Sequence, residues 1–311
     1  MNKSSHRITL IIGWNLVVIS LAILFFYLYG CFTNNAREED DNTFAKNIKR
    51  VFQEQAGGSI SQIQIADYVA KQRADKKPLD LTKEFGFNFG ESNLERMDLN
   101  LSNLRGVNLT RSNLNMADFS HADMTGADFS RSTLKGAKLR NAMINHSTFN
   151  NSNLDFANLK GGSFIKANLS DTSMKGADLS GANFSGARLK NVDFSNANLQ
   201  GARFDGATFN SVKLKSADCT GATFLNATIE SSDFYKVKFH NAKLNDARIS
   251  NSNLEKLHFQ EADLRGVKFK NNKTNHIKII QTKLDYADGL SFSYSEVNNS
   301  DVDYVKRINL K

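Results

Sequence analysis

Large apolar residues recur at every fifth position from Phe89 to Phe269: Phe89, Leu94, Leu99, Leu104, Leu109, Leu114, Phe119, Met124, Phe129, and on through Phe164, Phe184, Phe204 and Phe224. Every centre is Leu, Phe, Met or Ile, apart from Cys219. Two residues before most centres stands a small one, as at Ala117, Ala122, Ala127, Ala177 and Ala182. An α-helix asks for apolar residues every 3.6 positions and a flat strand for every second one, so a sustained period of five fits neither and signals stacked repeats. Within A-[DN]-[LF]-x-x the small and large residues lie two apart, and both point to one side of a short extended segment. The last two residues must then turn the chain. Four such corners close a square coil of 20 residues.

Closure predicts that residues 20 apart resemble each other more than residues five apart. One small-residue column reads Ser92, Ser112, Ser132, Ser152, Thr172, Val192, Val212, Ser232 and Ser252, with no alanine. The next is almost wholly alanine from Ala117 to Ala217. The sides are therefore distinct, and Phe164, Phe184, Phe204 and Phe224 should stack up one inner wall. The 37 centres make about nine coils and a rod on the order of 45 Å long, at the usual spacing between paired strands.

This array resembles the pentapeptide-repeat family. The resemblance implies an all-β solenoid, a right-handed quadrilateral β-helix, over residues 86–270. It also brings in two roles, a DNA mimic acting on gyrase or another topoisomerase and a translocated bacterial effector that inserts in a membrane, beside the scaffold for protein partners that the chain's own elements suggest. A fold of this kind hosts many functions, so the choice rests on the residues it displays.

Outside the array the pattern changes. Residues 1–7 form a polar N-terminal tail, and Ile8–Tyr29 is an uncharged run within an expected transmembrane helix, residues 8–30. At 1.5 Å per residue such a run covers roughly 30 Å, the thickness of a hydrocarbon core. It is longer than a secretory h-region and carries no convincing small-x-small cleavage site, which predicts an uncleaved single-pass anchor. Leu28-Tyr29-Gly30-Cys31 resembles a lipoprotein processing box, in which Tyr29 fits poorly. Lys3 and Arg7 before the span favour a cytoplasmic N-terminus, and so a rod on the extracytoplasmic side of a bacterial inner membrane. Residues 31–85 read as a helical stalk and N-terminal cap. Phe44, Ile48, Val51 and Phe52 mark one helix that stops at Gly57-Gly58, and Ile60, Ile63, Ile65, Val69 and Ala70 a second that ends before Pro78. A repeat rod exposes its first coil unless something apolar covers it. Over 271–311 the period falters, with Thr274 where a large residue belongs, and a last irregular coil and C-terminal cap are expected. The resemblance adds a homodimer contact through that cap.

Charge decides among the roles. The whole chain carries a net charge of +8, and between Phe89 and Lys270 there are 23 Lys and Arg against 18 Asp and Glu, a net of +5. A duplex-DNA mimic needs a strongly negative rod, so this balance weighs against that reading. Nucleic-acid binding would ask for exposed aromatics interleaved with the basic residues, and there are few. Two cysteines, Cys31 and the repeat centre Cys219, give no disulfide framework. The six histidines have no ligand partners at metal spacing, and no HExxH, paired CxxC or phosphate loop occurs. The Asp and Asn residues before the centres are explained by repetition, since short polar side chains there bond turn backbone. No catalytic residue, cofactor, metal or small-molecule substrate is expected. The outward positions are more informative. Met116 and Phe156 lie two coils apart in one column, and Lys135, Lys138, Arg140 and Lys160 should gather near one edge, with Lys236, Lys238 and Lys256 further along it. Met116, Phe156, Lys135, Lys138, Arg140 and Lys160 are the candidate contact with other proteins; the outward apolar positions are Met116, Met143, Phe156, Ile165, Leu225 and Tyr235.

Overall fold

A single pentapeptide accounts for the whole architecture. In residues 127–131 the Ala127 amide donates back to Met124 O (3.0 Å), closing a turn. Asp128 N donates to Val107 O in the preceding coil (2.9 Å), while Phe129 N and Arg131 N donate to Thr148 O (2.7 Å) and Asn150 O (2.8 Å) in the following one. The fifth amide, Ser130 N, donates to the Asp128 carboxylate at 2.9 Å. Every backbone donor of the unit is thus satisfied, three of them between coils, so the pentad closes only when it is stacked. The Asp or Asn before each centre is there to take that fifth amide, as at Asp118, Asp123, Asn183 and Asp193.

The computed structural model describes residues 62–289 and the backbone of 291–292, 296–298 and 309–310. All of them belong to one unit, Ser59–Lys311. The Ile8–Tyr29 anchor, the helix expected after Asn42 and Cys31 lie outside the described residues. Among the described residues no helix is long and apolar enough to cross a membrane.

From Asn88 to Asp288 parallel pairing steps by 20 residues. One side runs Asn88↔Asn108, Asn108↔Asp128, Asp128↔Thr148, Thr148↔Asn168 and Asn168↔Arg188 as single bridges. It then widens into three-residue strands: β1 (Arg188–Lys190), β2 (Thr208–Asn210), β3 (Thr228–Glu230), β4 (Arg248–Ser250) and, past β5 (His258–Gln260) on another side, β6 (Lys268–Lys270). Lys268 pairs onward with Asp288. The chain is therefore a square β-solenoid, and its four columns of centres fill the interior. Phe164, Phe184, Phe204 and Phe224 are fully buried and stack in sequence at 4.6, 5.1 and 5.0 Å between centroids. Cys219 is buried in the same interior; burial pushes its thiol up, away from the reactive thiolate.

The serine column has a structural cause. Ser112 Oγ donates to Phe89 O (2.8 Å) and Thr172 Oγ1 to Phe149 O (2.7 Å), so the hydroxyl ties one coil to the one before it. Further along, the amides of Val212 and Ser232 donate to the hydroxyls of Ser232 and Ser252, both at 3.1 Å. Alanine would remove these ties and leave the Val212 and Ser232 amides without those partners inside the wall.

The N-terminal cover is α1 (Gln62–Ala74) followed by α2 (Leu81–Phe85). Ile65 and Val69 of α1 and Leu81 of α2 are buried, and Tyr68 packs edge-on to Phe85, which meets Phe89 of the first coil. Asp80 caps α2 by accepting the Lys83 amide at 3.0 Å. Arg73 at the end of α1 forms a fork onto the Asp98 carboxylate and reaches Asn100 at 3.0 Å. At the far end the coil passes through Thr274, which is half-buried. There Asn272 stands in the serine column, accepting the Ser252 amide (2.9 Å) and donating to Ile249 O (2.8 Å). β7 (Lys278–Ile280) continues from β5, and β9 (Glu296–Asn298) pairs with β7. Between them in sequence, β8 (Ser291–Phe292) pairs with β10 (Asn309–Leu310).

Candidate functional site

The last residue of each pentad stands at a corner with φ between +51° and +74°, from Glu91 and Arg96 to Gln281 and Tyr286. Glycine takes this left-handed conformation at no steric cost, whereas any other residue pays on the order of 1 kcal/mol. A large apolar side chain here has neither backbone preference nor interior burial to recommend it. Phe156 (φ 59°) is 73% exposed and Met116 (φ 59°) 57% exposed.

Each of them lies over a glycine of the next coil. A Cβ built on Gly176 would come within 2.8 Å of the Phe156 ring, and one on Gly136 would meet Met116 at 3.8 Å. The corner thus reads Met116, Gly136, Phe156, Gly176 along the rod axis, an apolar ridge with its two side chains about 10 Å apart. Gly176, having no Cβ, makes room for one edge of the Phe156 ring.

The basic candidates surround this ridge, distributed over a side and its two corners rather than gathered on one edge. Lys135 stands at the turn beside Gly136, its amide donating to Asn115 Oδ1 at 2.8 Å. Lys138 occupies the adjoining flat side, where Asp118 pairs with it at 3.4 Å. Arg140 and Lys160 sit one coil apart at the corner beyond, both exposed. The reason is geometric: the chain turns directly after the centre Leu139, so 138 lies on the flat side and 140 at the corner beyond. Burial would raise the Asp118 carboxyl, but bonds from the Ser120 hydroxyl and amide and the charge of Lys138 outweigh it and hold it below its usual value.

Met143 is exposed on another side, while Ile165 and Leu225 are half-buried at their turns. Leu101, Phe87, Ile63 and Tyr286 are further exposed apolar residues. Leu101 and Tyr286 hold the corner position, so the five-residue step alone marks them; Phe87 and Ile63 depend on how the cap meets the first coil. Among the described residues no group of three or more His, Cys, Asp or Glu is placed to hold a metal. Two shallow surface depressions are lined by Asn241, Lys243, Glu261, Asp263 and Lys283, and by Glu91, Arg111, Arg131 and Asn151.

A family model described as a pentapeptide repeat region matches residues 147–224 and 202–279, and a second, pentapeptide repeats (8 copies), matches 88–126 and 112–154. Similar solved structures include HetL, a pentapeptide repeat protein involved in heterocyst differentiation regulation in the cyanobacterium Nostoc, at 21% identity over 76% of this chain and 94% of that one, with a TM-score of 0.40. QnrB1, a plasmid-mediated fluoroquinolone resistance protein, is 23% identical over 62% of this chain and 90% of its own, with a TM-score of 0.49. Rfr23, a pentapeptide repeat protein from the cyanobacterium Cyanothece, is 32% identical over 27% of this chain and 58% of its own, with a TM-score of 0.27. No curated protein matches the chain.

Proposed function

This chain belongs to the pentapeptide-repeat family, and from that premise we propose that it is a non-enzymatic, membrane-anchored scaffold that presents one edge of its rod to other proteins. The observation that carries the reading is Phe156: a large apolar ring, 73% exposed, held at a left-handed corner where glycine would be more stable. With Met116 it supplies two rigid apolar contacts, and Lys135, Lys138, Arg140 and Lys160 give the polar surroundings of a contact patch. Ile8–Tyr29 would fix the rod at a bacterial cytoplasmic membrane, with the repeats on the outer side. A reporter fused after Lys311 that works only outside the cytoplasm is the expected topology; one that works only inside overturns that arrangement.

The contact itself is tested in the anchored full chain. A photo-crosslinking residue at position 135 should trap protein partners, and a matched residue at position 190, on another side of the rod, should not. The adducts should vanish when Phe156→Gly and Met116→Gly are added. Equal trapping from both positions, or none from position 135, would overturn the assignment. The DNA-mimic role is disfavoured by the 23 basic against 18 acidic residues of the rod. Inhibition of gyrase supercoiling by the full chain would reinstate it.

A further inference from the structure

The same corner changes character towards the C-terminal end of the rod. Tyr235 lies at a turn, half-buried along its ring and flanked by Lys236. Three ammonium groups converge on its ring: Lys236 and Lys256, each with Nζ 5.4 Å from the centroid, and Lys215, at 5.8 Å. The three come from three successive coils, so the stacking step of the solenoid brings them together.

Some lysines on the rod have a carboxylate partner. Lys138 pairs with Asp118, Lys175 with Asp193 and Lys273 with Glu255. Among the described residues Lys215, Lys236 and Lys256 have no such ion pair. The carboxylate next along the column is Glu255: the charge of Lys256 acts on it without an ion pair, while its oxygens are bonded by Lys273 (2.8 Å) and Asn275 Nδ2 (2.8 Å). A single aromatic ring can attract cations to its faces, but it offers no negative charge to cancel three of them. Three positive charges gathered round one ring are stabilised by a multivalent anion bound among them.

We propose that Lys215, Lys236, Lys256 and the Tyr235 hydroxyl form a binding site for a multivalent oxyanion of the phosphomonoester or pyrophosphate class. Lysine ammoniums bind such groups as point charges and the phenol adds a directed hydrogen bond. The site takes one such group rather than a polymer track. Glu255 interrupts the positive column on one side and Ser195 ends it on the other. A single-stranded nucleic acid would also want successive rings to stack on, and this corner has Tyr235 alone between Lys215 and His276.

The test uses the full chain held by its anchor in phosphatidylcholine nanodiscs and titrated calorimetrically with inorganic pyrophosphate. Alongside, the loaded nanodiscs are co-floated with phosphatidylcholine vesicles carrying or lacking a minor fraction of phosphatidic acid. The nanodisc occupies the anchor, so association with the vesicles reports the rod surface. The triple variant Lys215→Gln, Lys236→Gln, Lys256→Gln should weaken pyrophosphate binding by about tenfold or more, and Tyr235→Phe by about two- to threefold. Lys190→Gln, Lys268→Gln, Lys270→Gln removes the same charge from another side and should leave binding intact. Pyrophosphate binding that follows this pattern supports the site and identifies a soluble ligand. Binding only to vesicles carrying phosphatidic acid, lost in the same triple variant, supports it and identifies a lipid headgroup. Binding to neither, or equal weakening by the control triple, overturns it. The result is independent of the crosslinking at position 135, so either can fail while the other stands.

Discussion

One corner of this rod carries two different surfaces on one backbone. Between Arg96 and Gly176 it presents Met116 and Phe156, each lying over a glycine. Between Lys215 and His276 it presents a tyrosine ringed by three lysines. The φ values hardly change from one half to the other, 59° at Phe156 and 59° at Lys236. The interior hardly changes either, since Phe129 stacks on Phe149 at 4.6 Å and Phe239 on Phe259 at 5.3 Å. What separates the halves is therefore the choice of the two turn residues, which the fold requires only to tolerate a left-handed bend. The corners therefore set the surface of this rod, and the inward columns its stability.

The most severe test of this contrast attacks the interior that the halves share. Phe204, fully buried between Phe184 and Phe224, lies near the junction. Phe204→Ala should cost about 3–5 kcal/mol and lower a single cooperative melting transition followed by circular dichroism. Two separated transitions would mean that the halves fold independently and share no common core.

A smaller effect is expected from the hydroxyl ties. Ser232→Ala leaves the Val212 amide without its 3.1 Å partner and should cost about 1–3 kcal/mol, measured by urea unfolding. No loss would mean that the serine column is a matter of size alone.

The corner itself gives a double-mutant cycle. Gly176→Ala should cost roughly 1 kcal/mol for its positive φ, and more for a Cβ placed 2.8 Å from the Phe156 ring. Phe156→Gly should be neutral or stabilising by up to about 1 kcal/mol, and in that background Gly176→Ala should retain only the backbone part of its cost. Additivity would show that the ring does not lie over Gly176, and the rigid ridge would be lost with it.

The smallest effect belongs to the cap. Asp98 is held below its usual 3.8 first by the fork from Arg73, against burial, which would raise it. A depressed carboxyl contributes stability above its unfolded value and loses it as pH falls through the folded one. Asp98→Asn should therefore cost about 0.2–1 kcal/mol at neutral pH, and the difference from wild type should shrink below about pH 4. A difference that holds at every pH would assign the effect to packing of α1.

Much of the fold is legible in the order of residues. The five-residue centres, the distinct columns and the small residues beside them fix a square coil, because side-chain alternation and a two-residue turn are local properties. The second cap helix is legible for the same reason: Ile65 and Val69 fall on one helical face and are the residues α1 buries. The placement of the basic residues is not. Lys138 and Arg140 are two apart in sequence, yet the bend after Leu139 sends them to different parts of the square.

Period and composition alone establish the repeat, the filled interior, the excess of positive charge and the apolar run of Ile8–Tyr29. Three-dimensional packing was needed to lay the Phe156 ring on Gly176, to bring the Ser232 hydroxyl to the Val212 amide, and to gather Lys215 and Lys256 at Tyr235. These contacts join residues 20 or more apart, and they depend on the direction a side chain takes after a left-handed corner. That direction is set by the coil above and the coil below, which no local pattern in the chain contains.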